Sequence, residues 1–522
     1  MIFRSPLADI DIPNVSLPQL LFGDVGAHAA KPALIDGPTG RTLTYGQLAG
    51  AIRLVASSLA KRGLKKGDVF AIYSPNLPEY AVAFHAVATL GGINTTVNPL
   101  YTPHELAHQL KDAGAKYLLT IPPFLPNAQA AAAEAGGIEE IFVFGEAEGA
   151  TPFASLLQSD GQLPPVTIDP QKDLVVLPYS SGTTGLPKGV MLTHHNLVSN
   201  ILQCSGAEFD RGLEIRADDV LLGLLPFFHI YGMVVVMSWA LYQRATVVTM
   251  PRFDMEQFLT LAQNHKLSYA HLVPPVVLGL AKHPLVDKFD LSSLRAIVSG
   301  AAPLSGELEA AVKARLGVEV TQGYGMTEAS PVTHFSFRLP PGKSKPGSVG
   351  QCVPSTIAKI VDPVTREELG VGQEGEVWVK GPQVMQGYLN NPQATANTVD
   401  RDGWLHTGDI GVVDEDGFFW IVDRLKELIK YKGYQVAPAE LEALLLTHPA
   451  VADAAVIGLP DDEAGELPKA YVVRKGDVSE DEIMAFVTER VAPYKRIRFV
   501  EFIDAVPKSA SGKILRRVLK GQ

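Results

Sequence analysis

Short apolar runs recur along this chain between stretches of helical periodicity, and no other property restricts its fold as strongly. Val69–Ser74 (VFAIYS), Ala115–Ile121 (AKYLLTI), Asp219–Phe228 (DVLLGLLPFF) and Leu294–Gly300 (LRAIVSG) have the length and texture of buried strands. Ahead of the first, Thr44 and Gln47 can form a capping box, Leu48, Ile52, Val55 and Leu59 fall on one helical face, and Gly63 can end the helix. The Ala-rich stretch 128–137 reads as a helix with its glycine stop. Strands alternating with helices predict an α/β fold with largely parallel sheets and helices layered on them.

The texture changes twice. From Gly375, GEVWVKG and GVVDEDGFFWIVDR read as antiparallel strands turning at Asp416-Gly417, so a small β-rich subdomain is expected over about 340–425. After DRLKE (Asp423–Glu427) comes a short α+β unit: strand AAVIGL, strand KAYVVRK, and a helix opened by a Ser479 and Glu482 capping box. The expected organisation is a large N-terminal domain, 1–425, and a small C-terminal domain, 426–522. A length of 522 residues agrees, being too great for one core.

Composition narrows the partners. With 46% hydrophobic and 19% charged residues the chain can fill large cores. A net charge of -11 with interspersed signs argues against a nucleic-acid partner, which requires clustered Lys and Arg. The two cysteines, Cys204 and Cys352, are far apart, so neither a disulfide framework nor a thiolate metal site is indicated, and a reducing, cytoplasmic home is expected. The first residues, MIFRSPLADIDIP, place Asp9 and Asp11 where an export signal needs an apolar run. The most apolar stretch, Ile230–Tyr242, has 13 residues, shorter than the roughly 18 of a membrane span, and reads as a buried helix.

Ser180–Val190, SSGTTGLPKGV, combines three glycines, four hydroxyls and a lysine, which suits backbone N–H groups, hydroxyls and one cation around a polyphosphate. It is not a Walker loop, because Lys188 is followed by Gly189 and not by a hydroxyl. Gly342-Lys343-Ser344 fails too, with Phe337 where the first glycine should be. A plain Gly/Thr surface loop is the alternative for the motif alone. HELAH, His104–His108, fits a zinc helix, yet Thr102, Pro103 and Glu105 make a capped helix start that gives the Glu a structural task. His194-His195 lacks a convincing ligand spacing.

The loop has company in TQGYGMTEAS (321–330), GWLHTGDIG (403–411), VDRLKELIKYKGYQVAPAELE (422–442) and PKSASGKILRR (507–517). In this order the set resembles the adenylate-forming acyl-CoA synthetase superfamily over nearly the whole chain. LPFFHIYGM (225–233) and LVPPVVLGLAKHPLV (272–286) are most similar to the 4-coumarate–CoA ligase branch. The resemblance implies a two-step reaction: acid and ATP give acyl-AMP and pyrophosphate, and coenzyme A then takes the acyl group and releases AMP.

By resemblance, ATP, Mg²⁺ and coenzyme A are the helpers, and each motif acquires a role. Ser180, Ser181, Gly182, Thr183, Thr184, Gly185 and Lys188 would hold the β- and γ-phosphates, Thr327 the α-phosphate, and Glu328 the metal. Tyr324, with Gln322, Gly323 and Ala301, would line the adenine slot, and Asp409 with Arg424 would hold the ribose hydroxyls. Lys513 would serve adenylation; Lys430 and Gln435 would serve thioester formation, with Gly433 passing the pantetheine arm and Lys426 as the hinge of a mobile lid. His229 would stand near the acyl carboxylate and the thioester tunnel. Standing alone, Glu328 would be a helix-start residue, Asp409 a turn residue, Lys513 a solvated tail lysine and His229 a satisfied core histidine.

The acid pocket would be walled by His229, Tyr231, Gly232, Val235, Val298 and Ala301, with Gly232 admitting a ring. Val235 and Val298 stand at two positions that are polar in plant hydroxycinnamate enzymes, so a more apolar, broadly accepting pocket is expected. The expected acids are 4-coumarate, cinnamate and caffeate, with medium- or long-chain fatty acids as the alternative. A free-standing carrier-loading ligase, a luciferase-like oxygenase and an inactive nucleotide binder are the competing classes. Retention of Lys513, Glu328 and Asp409 speaks against the last, and both a monomer and a homodimer remain open.

Overall fold

A computed structural model of the chain describes residues 1–180, 187–205, 214–336, 345–432, 434–461, 463–491, 493–509 and 512–521. Local signals act where they stand in the sequence. Thr44 and Gln47, Thr102 and Glu105, and Ser479 and Glu482 each close a reciprocal capping box, opening the helices Tyr45–Lys61, Pro103–Ala113 and Glu480–Thr488. The Ala-rich helix spans Leu125–Ala135 and stops at Gly136, whose φ of 68° is in the left-handed region.

Two large sheets carry the α/β body. One has eight strands in the order 387–388, 188–193, 174–180, 93–97, 69–73, 115–120, 140–143 and 151–152. The strands from Leu174–Ser180 through Thr151–Pro152 are all parallel, and Val69–Tyr73 is buried throughout because helices cover both faces. The second has nine, in the order 351–352, 332–335, 319–325, 296–299, 269–272, 220–223, 246–249, 32–36 and 42–44. Its six central strands are parallel. In each sheet the last parallel strand turns into an antiparallel neighbour: Leu174–Ser180 into Lys188–Thr193, and Glu319–Gly325 into Val332–Phe335. Both turns lie at the carboxyl ends of parallel strands, where open α/β sheets bind ligands.

Three expectations are modified. The run Asp219–Phe228 is a strand only over Val220–Gly223. Beyond it the Asn76 side chain replaces a neighbouring strand, donating to the carbonyls of Gly223 and Leu225 and accepting from the Phe227 amide at 2.7–2.9 Å. The apolar stretch Ile230–Tyr242 is a buried helix, but Tyr231–Ser238 is π-wound, with Ser238 Oγ donating to Met233 O. The Asp416-Gly417 hairpin exists, yet its last strand pair is Val413 with Phe419. Asp414 Oδ1 takes the amides of Asp416 and Phe418, which widens the turn beyond two residues.

The antiparallel subdomain sheet runs 3–4, 357–361, 375–380, 405–413 and 419–424, so the extreme N-terminus supplies an edge strand. Phe3 packs edge-on against Phe419, ring centres 5.7 Å apart. From Ile429 onward a separate sheet of five strands forms, with its own core of Ile429, Leu441, Val456, Val472 and Ile483. No helix among the described residues is long and apolar enough to cross a membrane. At the predicted HELAH helix, Glu105 is held in its capping box and His104 meets Glu134 at 2.5 Å.

Candidate active site

A cavity of about 760 Å³ opens where the two large sheets, the antiparallel sheet and the C-terminal unit meet. Ser180, Lys188, His229, Tyr231, Val235, Val298, Ala301, Gly323, Tyr324, Thr327, Glu328, Arg424, Lys426 and Lys513 all line it. Residues 181–185 and Gly433 lie outside the described residues.

At one end, Ser180 and Lys188 are paired residues of the first hairpin, so they hold the two ends of the glycine-rich loop together. Ser180 Oγ donates to Glu328 Oε1 at 3.0 Å, and the Tyr388 hydroxyl donates to the same oxygen at 2.7 Å. Lys188 Nζ stands 4.5 Å from the Tyr388 ring centre, a cation–π contact between two residues that line the cavity. Glu328 Oε2 has no hydrogen-bond partner among the described residues. A buried carboxylate oriented through one oxygen, with the other available, suits a hard cation that takes its remaining ligands from phosphate and water.

Tyr324, Asp409 and Arg424 form the second cluster. Asp409 and Arg424 are register partners on adjacent strands, joined by an ion pair of 3.2 Å. The Tyr324 hydroxyl donates to the other Asp409 oxygen at 2.6 Å. Burial raises the Asp409 carboxyl above its usual range, and the Arg424 charge opposes that shift. Asp409 is only 4% exposed and stands behind Tyr324 and Arg424, each oxygen keeping a second lone pair.

Gln322 departs from its expected place. Its amide accepts from Leu304 N and donates to Leu304 O and Glu309, all within 2.9 Å, so it braces the 301–305 turn and does not face the cavity. That turn presents Ala301 at a φ of 69°, a left-handed conformation unusual for a residue with a side chain.

Lys513 reaches the cavity from the C-terminal unit. Its turn is tied by Ser509 N donating to Lys513 O and Ser509 Oγ accepting from Lys513 N, and Gly512 lies against Val273. Burial, helped by the Arg424 charge, lowers the Lys513 ammonium to about 8. Burial and then Lys513 itself lower His229 to about 4, so that imidazole is neutral near pH 7, and its Nδ1 accepts from Tyr231 N. Because the ammonium form must meet negative charge, kcat/KM for acyl-adenylate formation is expected to fall as pH rises through about 8. Lys513→Arg should move that limb upward; a pH profile of pyrophosphate release that is flat between pH 7 and 9.5 would contradict this role.

Around Tyr231 the lining residues Ile230, Val235, Trp239 and Val298 are aromatic or apolar, and His271 is polar. The Tyr231 hydroxyl lies 3.3 Å from His271 Nδ1 and 3.4 Å from Val298 O. The Tyr231 ring requires Gly300, where an added Cβ would come within 2.6 Å of it. Gly232, expected to admit a substrate ring, does not line the cavity: a Cβ there would sit 2.1 Å from Pro226 O, so backbone approach inside the π-wound helix demands the glycine.

Lys430 and Gln435 are paired across a two-strand hairpin. Lys430 is exposed and is not among the cavity residues. The structure therefore brings Lys513 to the cavity and leaves Lys430 outside it. Sequence reading missed His271, Gly300, Trp239 and Tyr388, all of which reach the site or shape it through contacts between distant segments. Alternation of Tyr269 and His271 in SYAHL offered a weak strand signal, but nothing to place them against Tyr231.

A hairpin that brings Lys188 to the cavity, an aromatic–carboxylate–guanidinium cluster and a lysine from the C-terminal unit make up the site. The AMP-binding enzyme family model matches residues 22–389, and the AMP-binding enzyme C-terminal domain model matches 440–513; the chain belongs to this family. It is 47% identical to 4-coumarate–CoA ligase 1 of Solanum tuberosum, over 100% of this chain and 96% of that one. With 4-coumarate–CoA ligase 2 of Petroselinum crispum the identity is 46%, over 100% and 97%. Among solved structures, the anthranilate CoA ligase AuaEII in complex with anthranoyl-AMP superposes with a TM-score of 0.89 at 28% identity, covering 98% of each chain.

Proposed function

We propose that the protein is an AMP-forming carboxylic acid–CoA ligase that activates 4-coumarate and related hydroxycinnamates. The observation that carries this reading is end-to-end identity of 46–47% with 4-coumarate–CoA ligases, supported by a cavity that Lys188, Thr327, Tyr324, Tyr231 and Lys513 line.

A carboxylate is a poor acyl donor, because direct displacement would expel oxide. In the first half-reaction a carboxylate oxygen attacks the α-phosphorus of ATP and pyrophosphate leaves. Lys188 and the 180–190 loop hold the β- and γ-phosphates, and Thr327 meets the α-phosphate. Lys513 places its ammonium between the acid carboxylate and the α-phosphate, where charge accumulates. Tyr324 supports adenine, Asp409 accepts from the ribose hydroxyls, and Arg424 assists by donating to their oxygens. Mg²⁺ held through Glu328 would neutralise phosphate charge.

In the second half-reaction the thiol of coenzyme A attacks the acyl carbon and AMP leaves. The C-terminal unit turns about Lys426, withdrawing Lys513 and presenting Lys430, Gln435 and Gly433. That the described arrangement holds Lys513 inside and Lys430 outside supports two alternating faces. Two free, buried cysteines accord with a cytoplasmic setting.

The test measures pyrophosphate release and CoA-thioester formation with ATP and Mg²⁺, over cinnamate, 4-coumarate, caffeate, octanoate and palmitate, each with and without CoA. Aryl thioester products are expected. Exclusive turnover of the alkyl acids would overturn the acid assignment while keeping the reaction, and pyrophosphate release without thioester would overturn the CoA step.

A further inference from the structure

Glu328 and Lys188 carry opposite charges and line the same cavity, yet they form no ion pair with each other. One side chain, Tyr388, contacts both. Its hydroxyl donates to Glu328 Oε1 at 2.7 Å, while the Lys188 ammonium lies 4.5 Å from the centre of its ring. Tyr388 is 6% exposed and lines the cavity with them.

The backbone explains how one residue reaches two distant segments. The short strand Gly387–Tyr388 pairs antiparallel with Lys188–Thr193, with Tyr388 opposite Val190. Leu389 N donates to Gly189 O at 2.8 Å and Gln386 N to Met191 O at 3.0 Å, so the segment is bonded along the strand that begins at Lys188. Met385 N donates to Glu328 O at 2.9 Å, which ties the same segment to the backbone of the carboxylate residue. Thr395, in the following helix Pro392–Thr398, accepts from Tyr388 N at 2.9 Å and holds the strand in place.

The two side-chain contacts use different parts of the tyrosine. A ring face attracts a cation, and a phenolic O–H donates to a carboxylate. Phenylalanine would supply the first alone, and leucine neither. Opposite charges inside a cavity attract strongly, and an ammonium already paired with a carboxylate must be parted from it before either can meet a metal-bound polyphosphate.

We propose that Tyr388 is a positioning residue for ATP with two separable tasks: its hydroxyl holds the Glu328 carboxylate for the divalent cation, and its ring keeps the Lys188 ammonium off that carboxylate. Both charges then meet the metal-bound polyphosphate and not each other. This rests on the acid–CoA ligase reading above, in which Glu328 serves Mg²⁺ and Lys188 the β- and γ-phosphates.

The test measures ATP binding by calorimetry without any acid substrate, once in EDTA and once in excess Mg²⁺. It compares wild type, Tyr388→Phe, Tyr388→Leu, Glu328→Gln, and Tyr388→Leu combined with Glu328→Gln. Tyr388→Phe is expected to weaken binding in Mg²⁺ by about 10-fold, the low end for a hydrogen bond to a charged group because Ser180 still donates to the same oxygen. Its binding in EDTA should stay near wild type. Tyr388→Leu should in addition weaken binding in EDTA by about 3- to 10-fold, the scale of a cation–π contact. That second loss should largely vanish in the Glu328→Gln background, where Lys188 has no carboxylate to pair with. An unchanged Mg²⁺ effect in Tyr388→Phe would overturn the proposal, as would equal losses with and without metal or a Tyr388→Leu loss that persists beside Glu328→Gln, both of which mark the residue as merely structural. If Tyr388→Leu does not fold, Tyr388→Phe decides alone. Wild type that binds ATP no better with Mg²⁺ than without it would instead sink the function reading beneath this inference.

Discussion

Lys513→Ala is expected to slow acyl-adenylate formation by about 10²- to 10³-fold, the scale for losing one preorganised electrostatic group, while thioester formation from supplied acyl-AMP stays within a few-fold of wild type. The asymmetry follows from position. Lys513 is carried into the cavity by a short turn, and burial, helped by the Arg424 charge, lowers its ammonium to about 8, so negative charge brought beside it is what would stabilise it. Stopped-flow measurement of pyrophosphate release, alongside CoA-thioester formation from synthetic acyl-AMP, separates the two halves. Equal damage to both would show that Lys513 holds the fold and does not act on one step.

Lys430→Ala should show the opposite bias, with thioester formation reduced by about 10²-fold and adenylation nearly unchanged. Its exposed strand position, paired with Gln435 and turned away from the cavity, makes the variant structurally mild. The backbone bond from Lys430 N to Glu466 survives the substitution. Normal thioester synthesis by the variant would remove Lys430 from the second half-reaction. A parallel fall in pyrophosphate release would instead mean that the hairpin matters to the fold.

The features that were legible beforehand are local ones. Each capping box is closed by residues three positions apart, so it forms from the sequence that contains it. The buried strands announced themselves as apolar runs because both their faces are covered, and the motif order was enough to indicate the family. Where a motif residue was misplaced, a longer-range contact intervened. Gln322 sits in its motif but is engaged by the Leu304 backbone and Glu309, and Gly232 answers to the carbonyl of Pro226 inside a π-wound turn that its apolar sequence does not reveal.

By itself, then, the sequence determined the α/β layering, the helix starts, the chemical inventory of the glycine-rich loop and the family. Tertiary structure alone decided that Phe3 would join a strand more than three hundred residues away at Ala358, that Asn76 would end the strand at Gly223, and that Lys513 and not Lys430 would occupy the cavity. It also decided that His271 would stand in register with Val298, so that a wall expected to be apolar has a buried polar side chain within it. The division has one cause. Caps and apolar periodicity act within a few residues and are set by local sterics and hydrogen bonding, whereas sheet order and register are set by packing between segments that share no local signal.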